Sequence, residues 1–287
     1  MAIMDEILSE VDHIAPLPQS ARQLMCLAGK ESHSLPDIAR VVECDAALTA
    51  NVLKVVNSAF FRPVQPVSSL PMAITLLGEK LVIGIAIGTC CHDFFDKPLE
   101  GYESPRGELW KQSLRTAIFA RELSVHSAHG VNRELAYTAG LLHGIGKSVL
   151  SHHLQGKTEE LVKRTSGASQ LDFLAAEREL LGVDHCQVGH ALAMKWNLPE
   201  ELGESIRCYS DPDQADAAFR PLVYCVHAGN VLAMMAGDEQ GADSLRYKLS
   251  PNYAEYLSGL TTELLDQIVL RAQDEFSKAT SAFANGL

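Results

Sequence analysis

The 287-residue chain could form one large domain or two smaller ones, and its 47% hydrophobic residues, in short runs broken by charges, favour a packed globular protein over disorder. A formal charge of −12 argues against general affinity for nucleic acid or anionic membranes, since both favour basic surface. No apolar run reaches the roughly 18 residues of a bilayer span, Leu81 to Cys91 being too short, and the acidic start Met1 to Glu6 lacks a signal-peptide pattern, so the chain is expected in the cytoplasm without membrane contact.

The predicted elements are all helical. Ile3, Ile7, Leu8 and Val11 recur at helical spacing in a first helix over 3–14, which Pro16-Leu17-Pro18 ends. A second runs from Ser20 to Ala28 and stops at Gly29. Ser34 is the expected cap of a third helix beginning Leu35-Pro36, and Asp45 starts a fourth carrying Leu48, Val52, Val55 and Val56. These last two could pass for a DNA-reading pair, but the second offers only Asn51, Lys54 and Asn57 to bases, so helical packing is the better account. Asn57-Ser58 reads as a helix C-terminus closed by polar side chains. Ser69-Leu70-Pro71 opens a helix ending at Gly78, and a very apolar one follows from Glu79 to about Phe95.

Asp96 to Glu108, with two prolines and two glycines, reads as a loop and hinge between halves at 1–100 and 101–287. A long helix is expected from Leu109 to about His129, then further helices near 158–166, 170–181, 184–196 and 199–208, punctuated by Gly182, Pro199 and Pro212. A buried helix from Pro221 to Ala236 and an amphipathic one from Thr261 to Phe283 complete the chain, with loops at Gly237 to Gly241 and Ser250-Pro251. No segment alternates as a strand would. The fold class is therefore all-α, in two packed helical lobes.

Between the long helix and residue 158 lies Ala139-Gly140-Leu141-Leu142-His143-Gly144-Ile145-Gly146-Lys147. Glycines weaken a helix interior by roughly 1 kcal/mol each, so they suggest a helix end or a close backbone approach. His143, flanked by Leu142 and Ile145, points to a core. The seven cysteines form no Cys-x-x-Cys pair and are read as reduced, mostly buried thiols. His126 with His129, and His152 with His153, could enter a rearranged metal site, but are read as ordinary surface or core histidines. There is no Gly-x-Ser-x-Gly elbow and no Gly-rich phosphate loop.

The central stretch resembles the signature of the HD superfamily of metal-dependent phosphohydrolases, with His143-Gly144 standing where that family has His-Asp. Leu17-Pro18, Cys44 to Thr49, Val55 to Phe61, Val67-Ser68-Ser69, Ala73-Ile74 and Leu76-Leu77-Gly78 resemble, in order, the HDOD domain, the HD-related output domain of bacterial signalling proteins. The resemblance covers roughly residues 14–210 and implies that the C-terminal lobe is HD-like. It also implies where metal ligands would stand. Gln112 takes the place of an early histidine, Gly144 that of the aspartate, and Asn230 that of the closing aspartate. His185 matches a histidine of the HD-GYP phosphodiesterases, whose adjacent histidine pair falls near Cys208-Tyr209. An oxygen-loving divalent cation would meet two imidazoles and neutral amides, poor compensation for its lost water. The site is therefore read as vestigial, with no catalytic residue, cofactor or metal expected. His143 is expected to be a core residue hydrogen-bonded to Gln112 or Asn230.

The resemblance implies a non-catalytic signal-transduction module acting through a separate signalling protein, with a cyclic-dinucleotide pathway component as one candidate. The alternative is a metal-dependent phosphohydrolase acting on a nucleotide or cyclic dinucleotide. A pocket sensing a small ligand is a third. Nothing in the sequence fixes the oligomeric state.

Overall fold

The computed structural model describes residues 2–284 other than 16, 29–34, 58–62, 64, 79–81, 84, 87, 88, 91–93, 167–171, 238–240 and 244–246. The fold is all-α, and among the described residues extended pairing is confined to the isolated bridges Leu99–Ser104 and Ser127–Leu257. No helix of the described residues is long and apolar enough to cross a membrane.

The first five helices are short: α1 (Ala2–His13), α2 (Gln19–Ala28), α3 (Leu35–Glu43), α4 (Ala46–Val56) and α5 (Leu70–Leu77). Ile7 and Val11 of α1 and Ile38, Ala39 and Val42 of α3 are buried at helical spacing. Asp45 caps α4 as expected, accepting from the Leu48 N–H at 3.0 Å, and it also accepts from the Ser20 hydroxyl of α2 at 2.8 Å. Asn57 closes α4. Its amide donates to the Leu53 and Val67 carbonyls at 2.9 and 2.7 Å, while its oxygen accepts from the Val67 N–H at 2.6 Å. This matches the expected polar closure, although Ser58 itself lies outside the described residues, as do Ser34 and Gly29. Gly78 ends α5 with a positive φ of 82°. The helix expected from Glu79 to Phe95 falls in part outside the described residues; of those described, Val82, Ile83, Ile85, Ala86 and Phe95 are buried.

The segment read as a hinge loop is packed. It makes a 3₁₀ turn at Glu100–Tyr102, and Leu99, Gly101 and Tyr102 are buried. Gly101 receives the Thr158 hydroxyl on its carbonyl at 3.0 Å and gives its N–H to Ser151 Oγ at 3.1 Å.

The rest is organised around α6 (Glu108–Ser124), α7 (Arg133–Leu142), α8 (Ile145–Leu154) and α13 (Arg220–Ala236). Helix α6 stops five residues before the expected His129, because Ala128 N–H turns to the Tyr256 carbonyl at 3.0 Å and Ser258 N–H to that of His126 at 3.0 Å. The central stretch is two helices, broken at His143-Gly144. A methyl at Gly140 would stand 2.7 Å from Ala117 Cα, and one at Gly146 1.9 Å from the His185 carbonyl. Both glycines are therefore sites of backbone contact, the close approach that the sequence suggests.

Helices α9 (Thr158–Ser166), α10 (Phe173–Leu181), α11 (His185–Lys195) and α12 (Glu200–Cys208) follow, close to their expected spans. A capping box formed by Asp184 and Gln187 opens α11. After α13, the short α14 (Tyr253–Tyr256) lays Tyr256 flat on Tyr224, with centroids 4.2 Å apart. The closing α15 (Thr262–Ala284) docks on α6 through an Arg121–Glu275 ion pair and the Arg115 guanidinium 4.0 Å from the Phe276 ring centre.

Candidate functional site: two buried imidazoles and the tyrosine between them

The fold brings together three of the five positions that the resemblance marks as former ligand sites. Gln112 comes from the middle of α6, His143 from the end of α7 and Asn230 from α13. His143 and Asn230 are each 1% exposed. His143 Nδ1 lies 2.6 Å from the Gly140 carbonyl, and its Nε2 lies 3.2 Å from the Asn230 side-chain amide. The Gln112 amide meets that same Asn230 group at 3.1 Å.

Proton bookkeeping explains the residue types. Burial, with the Lys147 charge acting in the same direction, lowers the His143 pKa to about 3, so the ring is neutral. Its Nδ1–H donates to Gly140, which leaves a lone pair on Nε2. Both contacts are to one atom of the Asn230 amide; with that position taken by its NH₂, Asn230 can donate to the His143 lone pair and to the side-chain oxygen of a likewise turned Gln112, whereas an ionised aspartate has no proton to offer. Gln112, His143 and Asn230 are thus a closed neutral set.

Gly144 adjoins this set with ordinary backbone angles, φ −89° and ψ 7°. A Cβ there would lie 3.2 Å from Leu109 Cδ1 and 4.0 Å from Ser113 Oγ, a hydroxyl with no hydrogen-bond partner among the described residues.

His185 does not join them. Its Nδ1 lies 2.7 Å from Glu177 Oε2, its own backbone N–H donates to that oxygen at 2.9 Å, and its Nε2 lies 2.6 Å from the Tyr209 hydroxyl. Burial, the largest single influence, disfavours the imidazolium, but Glu177 and Cys186, through charge and hydrogen bonding together, outweigh it and raise the pKa to about 10. The ring is a cation that donates from both nitrogens. A protonated imidazole has no lone pair for a metal.

Tyr209 separates the two imidazoles. Its ring meets His143 edge-on at 4.6 Å, its hydroxyl accepts a hydrogen bond from His185 Nε2–H, and its backbone carbonyl accepts from His227 Nδ1 at 2.7 Å. His227 is itself buried and neutral, its pKa lowered by burial, and its Nε2 accepts the Ser250 N–H at 2.9 Å.

Sequence reasoning did not find the second buried charge pair. Lys147, on α8, is ion-paired with Asp243, and its ammonium lies 5.3 and 5.8 Å from the ring centres of Tyr247 and Tyr102. Burial would raise the Asp243 pKa, but Lys147 holds it below the usual carboxylate range. Tyr247 donates to Asp243 at 3.1 Å and Tyr102 donates to Glu177 at 2.7 Å. Burial pushes the phenols of Tyr102, Tyr209 and Tyr247 well above their usual value, so all three are neutral. The cluster therefore balances two cations, Lys147 and His185, against two carboxylates, Glu177 and Asp243.

A divalent cation of the HD type does not fit this donor set. Around His143 stand amides and a glycine, His185 is protonated, and both nearby carboxylates already neutralise a cation.

The family model described as "HDOD domain" matches residues 14–212. A Treponema pallidum protein, called uncharacterized, is 27% identical over 233 residues, 78% of this chain and 43% of its own length. The cyclic di-GMP phosphodiesterase CdgJ of Vibrio cholerae is 28% identical over 155 residues, 52% of this chain and 33% of its own length. The chain thus spans less than half the length of these curated relatives. The crystal structure of an HDOD domain protein of unknown function from Geobacter sulfurreducens superposes with a TM-score of 0.73 at 21% identity, over 98% of this chain and 97% of that one. With the HDOD pattern matched over more than half its length, the chain belongs to the HDOD family.

Proposed function

We propose that this protein is a non-catalytic output module of bacterial signal transduction, working in the cytoplasm by binding a partner protein. The observation that carries this reading is the closure of the old metal position. Gln112, His143 and Asn230 satisfy one another without a carboxylate, and Tyr209 fills the space toward His185. Metal-assisted phosphoryl chemistry needs an open coordination position and anionic ligands to hold the ion. Among the described residues neither stands around His143.

A second reading, a phosphohydrolase of cyclic dinucleotides, is favoured by one fact: the Vibrio cholerae relative bears a phosphodiesterase name. The shared part is a third of that protein, so its activity is weak support for this chain. Assays with cyclic di-GMP and bis(p-nitrophenyl) phosphate, with Mn²⁺ added, separate the two. No turnover is expected. Turnover that vanishes in His143→Ala would establish the phosphohydrolase.

A further inference from the structure

Away from the vestigial site, three side chains meet where α1 packs on the end of α8. Glu10 comes from α1, and His152 and His153 are the neighbouring residues of the last turn of α8. Successive side chains on a helix diverge by about 100°. Here the two rings instead lie together, centroids 3.7 Å apart, and both turn Nε2 to one oxygen. His152 Nε2 is 3.2 Å and His153 Nε2 is 2.9 Å from Glu10 Oε2.

The tautomer of His152 sharpens the geometry. Its Nδ1 lies 3.1 Å from the Val149 carbonyl and must carry a proton to bond there. Its Nε2 is thereby turned on the Glu10 carboxylate oxygen, a short gap that a proton or a bound cation bridges. A backbone carbonyl that fixes the far nitrogen is also the usual support of a metal-bound histidine.

We propose that Glu10, His152 and His153 form a binding site for Zn²⁺ or a similar borderline transition cation, joining the first helix to α8. Two imidazoles and a carboxylate are the donor types such cations select, whereas Mg²⁺ and Ca²⁺ prefer oxygen alone. Bonds of roughly 2.0–2.2 Å in a tetrahedron set neighbouring ligand atoms about 3.3 Å apart. The nitrogen–oxygen separations of 3.2 and 2.9 Å are close to that edge. The side chains of His152 and Glu10 are 55% and 41% exposed, so the ion could enter from solvent and keep water as its fourth ligand. Helix α1 already docks beside this turn, where Lys195 donates to the Val11 carbonyl at 2.8 Å. The metal would fasten the Glu10 turn, so zinc would tighten the seating of the N-terminal helix. This site is independent of the HD position and of the catalytic question.

The test is titration of chelator-treated full-length protein with Zn²⁺, and with Co²⁺ as an optical probe of tetrahedral coordination, at neutral pH. One saturable equivalent is expected, with intense cobalt bands and a higher melting temperature. His152→Gln and Glu10→Gln should each weaken binding by roughly tenfold or more, the scale on which even outer-shell losses act. Both positions are half-exposed, so the melting curve of the metal-free variants should stay in place. His143→Ala should bind zinc as the parent does. Absence of saturable binding, or binding that survives both substitutions, would overturn the proposal. Binding lost in His143→Ala but kept in His152→Gln would overturn it too, by placing the ion at the old HD position.

Discussion

The Tyr209 hydroxyl lies 2.6 Å from His185 Nε2 while the same ring stands perpendicular to His143, at 90° between planes. One side chain therefore sets the environment of two imidazoles with opposite protonation. His143 is neutral because it is buried with no anion facing it among the described residues, and His185 is cationic because Glu177 faces it. Tyr209→Phe keeps the edge contact but leaves the His185 Nε2–H only the Tyr247 hydroxyl, 3.5 Å away, as acceptor. A hydrogen bond to a charged group contributes about 1.5–3 kcal/mol, and a loss of that order is expected in urea unfolding. An unchanged midpoint would mean that water or another group replaces the phenol.

The sequence shows this site unevenly. His143, Gln112 and Asn230 were found through a motif frame, and the expected His143–Asn230 contact is present. The turn of His185 toward Glu177 was not legible, since both orientations of a helix-opening histidine fit the same pattern. Nor was the Lys147–Asp243 pair, whose members are 96 residues apart, or Tyr102–Glu177, 75 apart. Helical periodicity reports local faces, not which distant side chains share a core. The one available signal was Lys147 itself, a cation between Ile145 and Val149 that required an anion somewhere. The packed turn around Tyr102 was hidden for another reason: proline and glycine content marks the absence of regular helix, and says nothing of burial.

The two imidazoles give stability a maximum in pH. His143 has its native pKa below the unfolded value of 6.5, so between about pH 3 and 6.5 the unfolded chain binds the extra proton and stability rises with pH. His185 has its native pKa above 6.5, so the native state holds the extra proton and stability falls as pH rises from there toward about 10. His143→Gln should reduce the acid-side slope by up to about 1.4 kcal/mol per pH unit, and the double variant Glu177→Gln/His185→Gln should flatten the alkaline side. Unfolding free energies measured across pH 4.5–9 check both. Parallel curves for parent and variants would refute the assignments.

Lys147 and Asp243 should behave as a buried pair rather than as two independent residues. Lys147→Met leaves the Asp243 carboxylate without its cation and should cost about 3–5 kcal/mol. Lys147→Met/Asp243→Leu removes both charges and should recover much of that loss, since apolar replacement of a buried pair is often neutral or stabilising. A double-mutant cycle in chemical denaturation measures the coupling. Additive losses would show that the two residues do not act on each other.

The vestigial reading of the metal position is testable by repair. His143→Ala alone should cost about 1–3 kcal/mol, because it strips Asn230 of a buried partner. Gly144→Asp is a different perturbation. Its backbone angles suit any residue, and its nearest obstacle is the tip of Leu109, a flexible atom that can move a few tenths of an ångström. The new carboxylate could accept a hydrogen bond from Ser113, so the fold should survive with a modest loss. It should gain no Mn²⁺ affinity, because the cation would still face amides from Gln112 and Asn230. The triple variant Gln112→His/Gly144→Asp/Asn230→Asp supplies two imidazoles, with His143, and two carboxylates around one point. There Mn²⁺ should stabilise the protein, by about 2.7 kcal/mol when present at a hundred times its dissociation constant. Thermal melts of parent, single and triple variants with and without Mn²⁺ decide the matter. Strong stabilisation of Gly144→Asp alone would mean that the amides at 112 and 230 are not what excludes the metal.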